Sequence, residues 1–130
     1  MIDITEGDFS IQELVEMARR PDAGAVVVFL GTVRDDGVQR LEVESFREAA
    51  LLELERIREE AVSRFGLLSA DLVHRVGSLS TGENMVLIAV SAPHREEAFK
   101  GCRYILEQLK KRVPVWKKEI GKEGSRWVGQ

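Results

Sequence analysis

The run Ala25-Val26-Val27-Val28-Phe29-Leu30 constrains this chain more than any other feature. It is apolar throughout, rich in β-branched residues and too short for a helix of its own. It therefore predicts a central strand buried on both faces. Met85 to Ser91 reads the same way. Strands of this kind need apolar cover, and three helical patterns offer it. Leu51, Leu54, Ile57, Ala61 and Phe65 recur at spacings of three and four between Glu48 and Phe65, and Gly66 is a natural C-cap. Ala98, Cys102, Ile105, Leu106 and Leu109 mark a second helix from about Arg95 to Arg112, ended by Pro114. In a shorter one, Ile11, Leu14, Val15 and Ala18 share a face. Ser10 is its N-cap, Glu13 completes a capping-box pattern, and Pro21 stops it.

The remaining segments read as strands: Ile2 to Thr5, Val38 to Phe46 after an Asp36-Gly37 hairpin signal, and Leu72 to Val76. Thr81-Gly82-Glu83-Asn84 turns the last of these into the Met85 strand. Val115 to Ile120 and Ser125 to Val128, joined by Gly121 to Gly124, form a final hairpin. The order is β-α-β-β-α-β-β-α-β-β. Hairpins dominate it, so the sheet is expected to be largely antiparallel with the helices on one side, an α+β layering. The 130 residues fit one domain, 1–130, without repeat or linker.

Composition removes several classes of function. No apolar run approaches the roughly 20 residues of a membrane span, and the N-terminus lacks the basic and apolar regions of a signal peptide. The single Cys102 has no internal disulfide partner. Together these predict a cytoplasmic protein. One Cys and two His at unrelated spacings make no zinc set, and there is neither a Walker loop nor a G-x-G-x-x-G, so no metal and no cofactor is expected. Net charge is −3, yet Lys110, Lys111, Arg112, Lys117 and Lys118 form a stretch without an acid, leaving −8 on the rest of the chain. A basic patch on an acidic body suits a local anion site better than a nucleic-acid surface.

Three clusters carry candidate chemistry. In Gly31-Thr32-Val33-Arg34 a buried strand ends in a glycine and an arginine. Arg34 is either a surface residue or a bidentate anion ligand. In Ser91-Ala92-Pro93-His94-Arg95 a basic pair opens a helix. That is unfavourable for the helix dipole but suits an anion drawn to the free N–H groups. His94 also suits acid–base work, whereas His74, within a strand pattern, reads as structural. The third cluster runs from Lys110 to Glu119. Cations at a helix C-terminus explain Lys110 to Arg112, but not Lys117 and Lys118 beyond Pro114. On a strand, Lys117 and Glu119 share one face while Trp116 and Lys118 share the other. Cys102, on the apolar face of its helix, reads as core rather than as a sulfur carrier.

These clusters, together with Leu109-Lys110-Lys111-Arg112-Val113-Pro114-Val115-Trp116-Lys117-Lys118-Glu119 and Gly124-Ser125-Arg126-Trp127-Val128, resemble the large, catalytic subunit of molybdopterin synthase. The similarity runs over nearly the whole chain. It implies an α/β hammerhead fold and a homodimer within a heterotetramer, in which each large subunit carries a small ubiquitin-like sulfur-carrier subunit. The small subunit's Gly-Gly C-terminus, as a thiocarboxylate, enters the large subunit. Two sulfurs then pass to cyclic pyranopterin monophosphate to make the molybdopterin dithiolene. The resemblance implies Lys110 and Lys117 as catalytic. It implies Thr32, Val33, Arg34, His94, Arg95, Lys118 and Glu119, with both lysines, as the lining of the substrate pocket. On this reading Lys110 meets the partner's carboxyl end and Lys117 the pterin. Family members often run beyond the position of Gln130, so contacts made by such a tail are expected to be absent or replaced.

From Arg95 to Lys110 is about 15 helical residues, roughly 22 Å. One small substrate cannot easily meet both ends, so each pocket is expected to be shared, with Lys110 and Lys117 from one protomer and His94 and Arg95 from the other. Two other readings compete. A dimeric, non-catalytic module for a ubiquitin-like partner needs neither Lys117 nor the His94-Arg95 pair. A nucleic-acid binder would have to set its duplex against the acidic remainder.

Overall fold

The computed structural model describes residues 1–122 and 124–128. In chain order the elements are β1 (Ile2–Thr5), α1 (Ile11–Ala18), β2 (Ala25–Thr32), β3 (Val38–Ser45), α2 (Arg47–Phe65), β4 (Ser69–Arg75), β5 (Gly77–Ser80), β6 (Asn84–Ala92), α3 (Arg95–Arg112), β7 (Val115–Gly121) and β8 (Gly124–Val128). The α+β class is as expected, but the strands divide into two four-stranded sheets, β1-β4-β6-β2 and β5-β3-β7-β8. Among the described residues only β1 and β4 pair in parallel; the other pairings are antiparallel.

The Met85 run behaves as expected. β6 is central, and its residues alternate between two apolar layers. Val86, Ile88, Val90 and Ala92 join the main core with α2 and α3, while Leu87 and Ala89 join Leu14 and Ala18 of α1. The helices therefore lie on both faces of the first sheet, not on one. An apolar strand leaves neither face fit for water, and the short α1 covers the second.

The Ala25 run departs from expectation. β2 pairs only with β6 and is an edge strand. Ala25, Val27 and Phe29 pack on the main core, but Val26, Val28 and Leu30 stand exposed, because α1 spans eight residues and lies mainly over β6 and β4. The Asp36-Gly37 signal does not give a hairpin either, since β2 and β3 belong to different sheets. Val33 explains why. Its N–H donates to the Glu83 carbonyl (3.1 Å) and its carbonyl accepts from the Gly82 N–H (2.8 Å), tying the chain to the 81–84 turn. That turn in turn follows β5, which sequence patterning does not anticipate. The four residues of β5 leave the first sheet to pair with β3 before the chain returns as β6.

The helices follow their patterns closely. Ala50, Leu54, Ile57 and Ala61 of α2 and Ala98, Cys102, Ile105 and Leu109 of α3 are buried in one core. Ile11 is the exception, exposed at the start of α1. Gly66 ends α2 in the left-handed region (φ 64°), and Ser10 caps α1 by accepting the Glu13 N–H at 3.1 Å. Gly101 lets α3 approach Leu67, whose methyl groups would lie 2.8 Å from an added Cβ. β7 and β8 form the expected hairpin, although Glu123 of its turn lies outside the described residues. Among the described residues, no helix is long and apolar enough to cross a membrane.

Candidate functional site

Strand register explains where the two lysines sit. Lys117 lies opposite Val43 and Glu119 opposite Leu41 in the β3–β7 ladder, so both share the face that Leu41 and Val43 bury. Lys118 and Trp116 project from the other face, as alternation demands. There Trp116 meets Phe46 edge-to-face at 4.8 Å, and the Lys118 ammonium lies over the Trp127 ring at 5.5 Å. Lys110 reaches the same region from the C-terminal end of α3. It lies one residue beyond the buried Leu109, and Pro114 then lets the chain re-enter as β7.

Between these elements lies a cavity of about 540 Å³. β2 and the segment after it contribute Thr32, Val33 and Arg34, α3 contributes Leu106, Leu109 and Lys110, and β7 contributes Lys117 and Glu119. Six of the nine expected site residues are therefore brought together. His94 and Arg95 are exposed at the N-terminus of α3 and do not line it. Neither does Lys118.

The electrostatics single out Lys117. It is half-buried, and loss of solvent holds its pKa below the usual lysine value, with the nearby charge of Lys110 adding to the effect. Among the described residues no carboxylate lies within ion-pair distance of either lysine. Three arginines of the clusters singled out by the sequence are engaged instead. Arg34 pairs loosely with Asp36 at 3.3 Å while largely exposed, and the Arg126 guanidinium holds Glu119 at 3.0 Å. Arg112, part of the basic stretch, is turned away to bind Glu53 and Glu60. Two uncompensated ammonium groups in a partly apolar cavity are suited to holding an anion and moving a proton.

The cavity also holds a residue that sequence reading set aside. His74 is 2% exposed yet lies on its wall. It continues the face of β4 that carries Ala70 and Leu72, at the strand end where the core gives way to the cavity. No local signal marks it, because a histidine two residues from a core leucine looks structural. Cys102 is core, as expected, and burial pushes its thiol up to about 11. Among the described residues, no group of three or more His, Cys, Asp or Glu side chains converges as metal ligands would.

The profile of the MoaE protein family matches residues 4–112. The chain belongs to the MoaE family. A molybdopterin synthase catalytic subunit from Pyrococcus abyssi is 46% identical over 125 residues, covering 93% of this chain and 84% of the relative. One from Bacillus subtilis is 37% identical over 131 residues, covering 98% and 83%. Among solved structures, the crystal structure of molybdopterin synthase from Staphylococcus aureus superposes with a TM-score of 0.91 at 38% identity, covering 98% of this chain and 96% of that one. The matched MoaE region includes β2, β4 and the whole of α3, and so Arg34, His74 and Lys110. Lys117 on β7 lies beyond it but within the span shared with the Staphylococcus structure.

Proposed function

We propose that this chain is the catalytic subunit of a molybdopterin synthase, a sulfurtransferase. It takes sulfur from the thiocarboxylated C-terminus of a small ubiquitin-like subunit and delivers two atoms to cyclic pyranopterin monophosphate. The observation that carries this reading is the convergence of Lys110 and Lys117, both without a carboxylate partner among the described residues, on one cavity. The donor is an anionic chain end and the acceptor carries a phosphate, so both are held by cations. Lys110, exposed at the C-terminal end of α3, meets the incoming tail, and Lys117, half-buried, meets the pterin. Its lowered pKa brings an amine closer to the proton-sharing range in which it can give up and recover a proton as sulfur leaves the acyl carbon. Thr32, Val33, Arg34 and Glu119 shape the wall.

His94 and Arg95 belong, on this reading, to the cavity of a second copy. Support comes from α3 itself, along which Arg95 and Lys110 are roughly 22 Å apart. Further support comes from β2, an edge strand with Val26, Val28 and Leu30 exposed, of which Leu30 also lines the cavity. A copy seated on that edge brings its own side chains to the cavity mouth. Lys118 lies over the Trp127 ring on the outer face of β7 and takes no part in this cavity.

The test is reconstitution with the thiocarboxylated small subunit and cyclic pyranopterin monophosphate, followed by detection of the dithiolene. Lys117→Ala and Lys110→Ala are each expected to lower the rate on the order of a hundredfold or more. Undiminished product with both variants would overturn the assignment. Co-assembly of Lys110→Ala chains with His94→Ala chains tests the sharing. Recovered activity in the mixed dimer supports it, and none removes it.

A further inference from the structure

His74 has a defined tautomer. Its Nδ1 lies 2.8 Å from the carbonyl oxygen of Arg75, and a carbonyl only accepts, so Nδ1 carries the proton and donates it. Nε2 is left as a lone-pair acceptor. Within the described residues nothing donates to it, yet it is not a sealed, unsatisfied atom: among buried side-chain nitrogens and oxygens, only Oε2 of Glu97 is left in that condition. The acceptor therefore has an outlet, and His74 is among the residues that line the cavity. Burial, with the charge of Lys117 adding to it, holds the imidazole neutral, with its pKa lowered to about 4. The ring thus adds no third positive charge beside Lys110 and Lys117.

We infer that His74 is a specificity-determining residue of this cavity, whose Nε2 accepts a hydrogen bond from an N–H or O–H group of the substrate while the two lysines hold its anionic parts. The inference rests on the sulfur-transfer reading for the identity of the substrate, and it adds a requirement. The bound molecule must present a hydrogen-bond donor beside its negative charge, which a pterin phosphate does and a simple phosphate ester does not.

Asparagine and glutamine separate this role from a structural one. The Asn amide nitrogen takes the place of Nδ1 and keeps the bond to the Arg75 carbonyl, but nothing replaces Nε2. Gln sets its amide near Nε2, where its oxygen can accept. In the reconstituted reaction His74→Asn is expected to raise KM for the pterin phosphate roughly tenfold, with kcat little changed, and His74→Gln to recover most of the loss. Wild-type KM in His74→Asn, or equal impairment of both variants, would overturn the inference. If neither variant folds, ¹⁵N-histidine NMR of the wild-type protein decides it without turnover. The chain has two histidines, and comparison with the spectrum of His94→Ala assigns the His74 resonances. Pterin binding is expected to shift its unprotonated Nε2 resonance. A protonated Nε2, or an unmoved one at saturating pterin, would sink the inference. Failure of the wild-type enzyme to form dithiolene counts against the sulfur-transfer reading alone.

Discussion

At the scale of single residues, the same physical cause, loss of solvent, gives three side chains different work. It holds Lys117 below the usual lysine range, keeps His74 neutral and makes Cys102 a poor nucleophile. The His74 shift sets a pH dependence of stability. Above its ordinary value of 6.5 the ring is neutral in both folded and unfolded chains. Below it the unfolded chain binds a proton that the folded chain refuses, so stability falls as pH drops from 6.5 to about 4 and then levels. The full loss is about 3 kcal/mol. Denaturant titrations at pH 7.5 and pH 4 are expected to show a drop smaller by about that amount in His74→Gln, which has nothing to titrate. Cys102, for its part, should react with a thiol reagent at pH 8 only as fast as the protein opens, and immediately once it is unfolded. Prompt labelling of the native chain would contradict its burial.

At the scale of elements, the basic stretch from Lys110 to Lys118 divides by geometry. About half a helical turn and one strand alternation send its cations in different directions. Lys110 and Lys117 enter the cavity, Lys118 covers Trp127, and Arg112 clamps α3 to α2. The clamp is a network: Arg112 binds Glu53 and Glu60, and Glu60 also accepts the Tyr104 hydroxyl at 2.7 Å. The Arg112 guanidinium, then Tyr104, holds the Glu60 carboxyl down to about 2. Arg112→Met is therefore expected to lower Tm while leaving KM for the pterin phosphate unchanged. Lys117→Ala should do the reverse, lowering turnover with little change in Tm. Identical behaviour of the two variants would mean that the stretch acts as one patch. At the end of α2, Gly66→Ala places a side chain in the left-handed region and should cost about 1 kcal/mol by denaturant titration.

At the scale of the molecule, β2 is the unfinished part. It is an edge strand with an apolar outer face, and a solitary protein normally blunts such an edge with charge or proline. Val28 lies in that face without lining the cavity. Val28→Glu is expected to shift sedimentation from dimer towards monomer, and to lower activity although the cavity residues are untouched. An unchanged sedimentation coefficient would detach the edge from assembly.

Much of this protein is legible in order along the chain. The spacing of Leu54, Ile57 and Ala61, the glycine after Phe65, the Ser10 cap and the alternation of Lys117 with Lys118 are local consequences of helix and strand geometry. These fixed the helices, most strands and the division of the basic stretch into inward and outward lysines. Pairing is not local. Whether Ala25–Leu30 would be central or edge, and whether Gly77–Ser80 would leave its sheet, depended on which strands found each other across tens of residues. His74 shows the consequence most clearly. Its sequence neighbours describe a core strand. It became a cavity residue only because α3 ends and β7 begins beside the end of β4, an arrangement set by packing between distant elements.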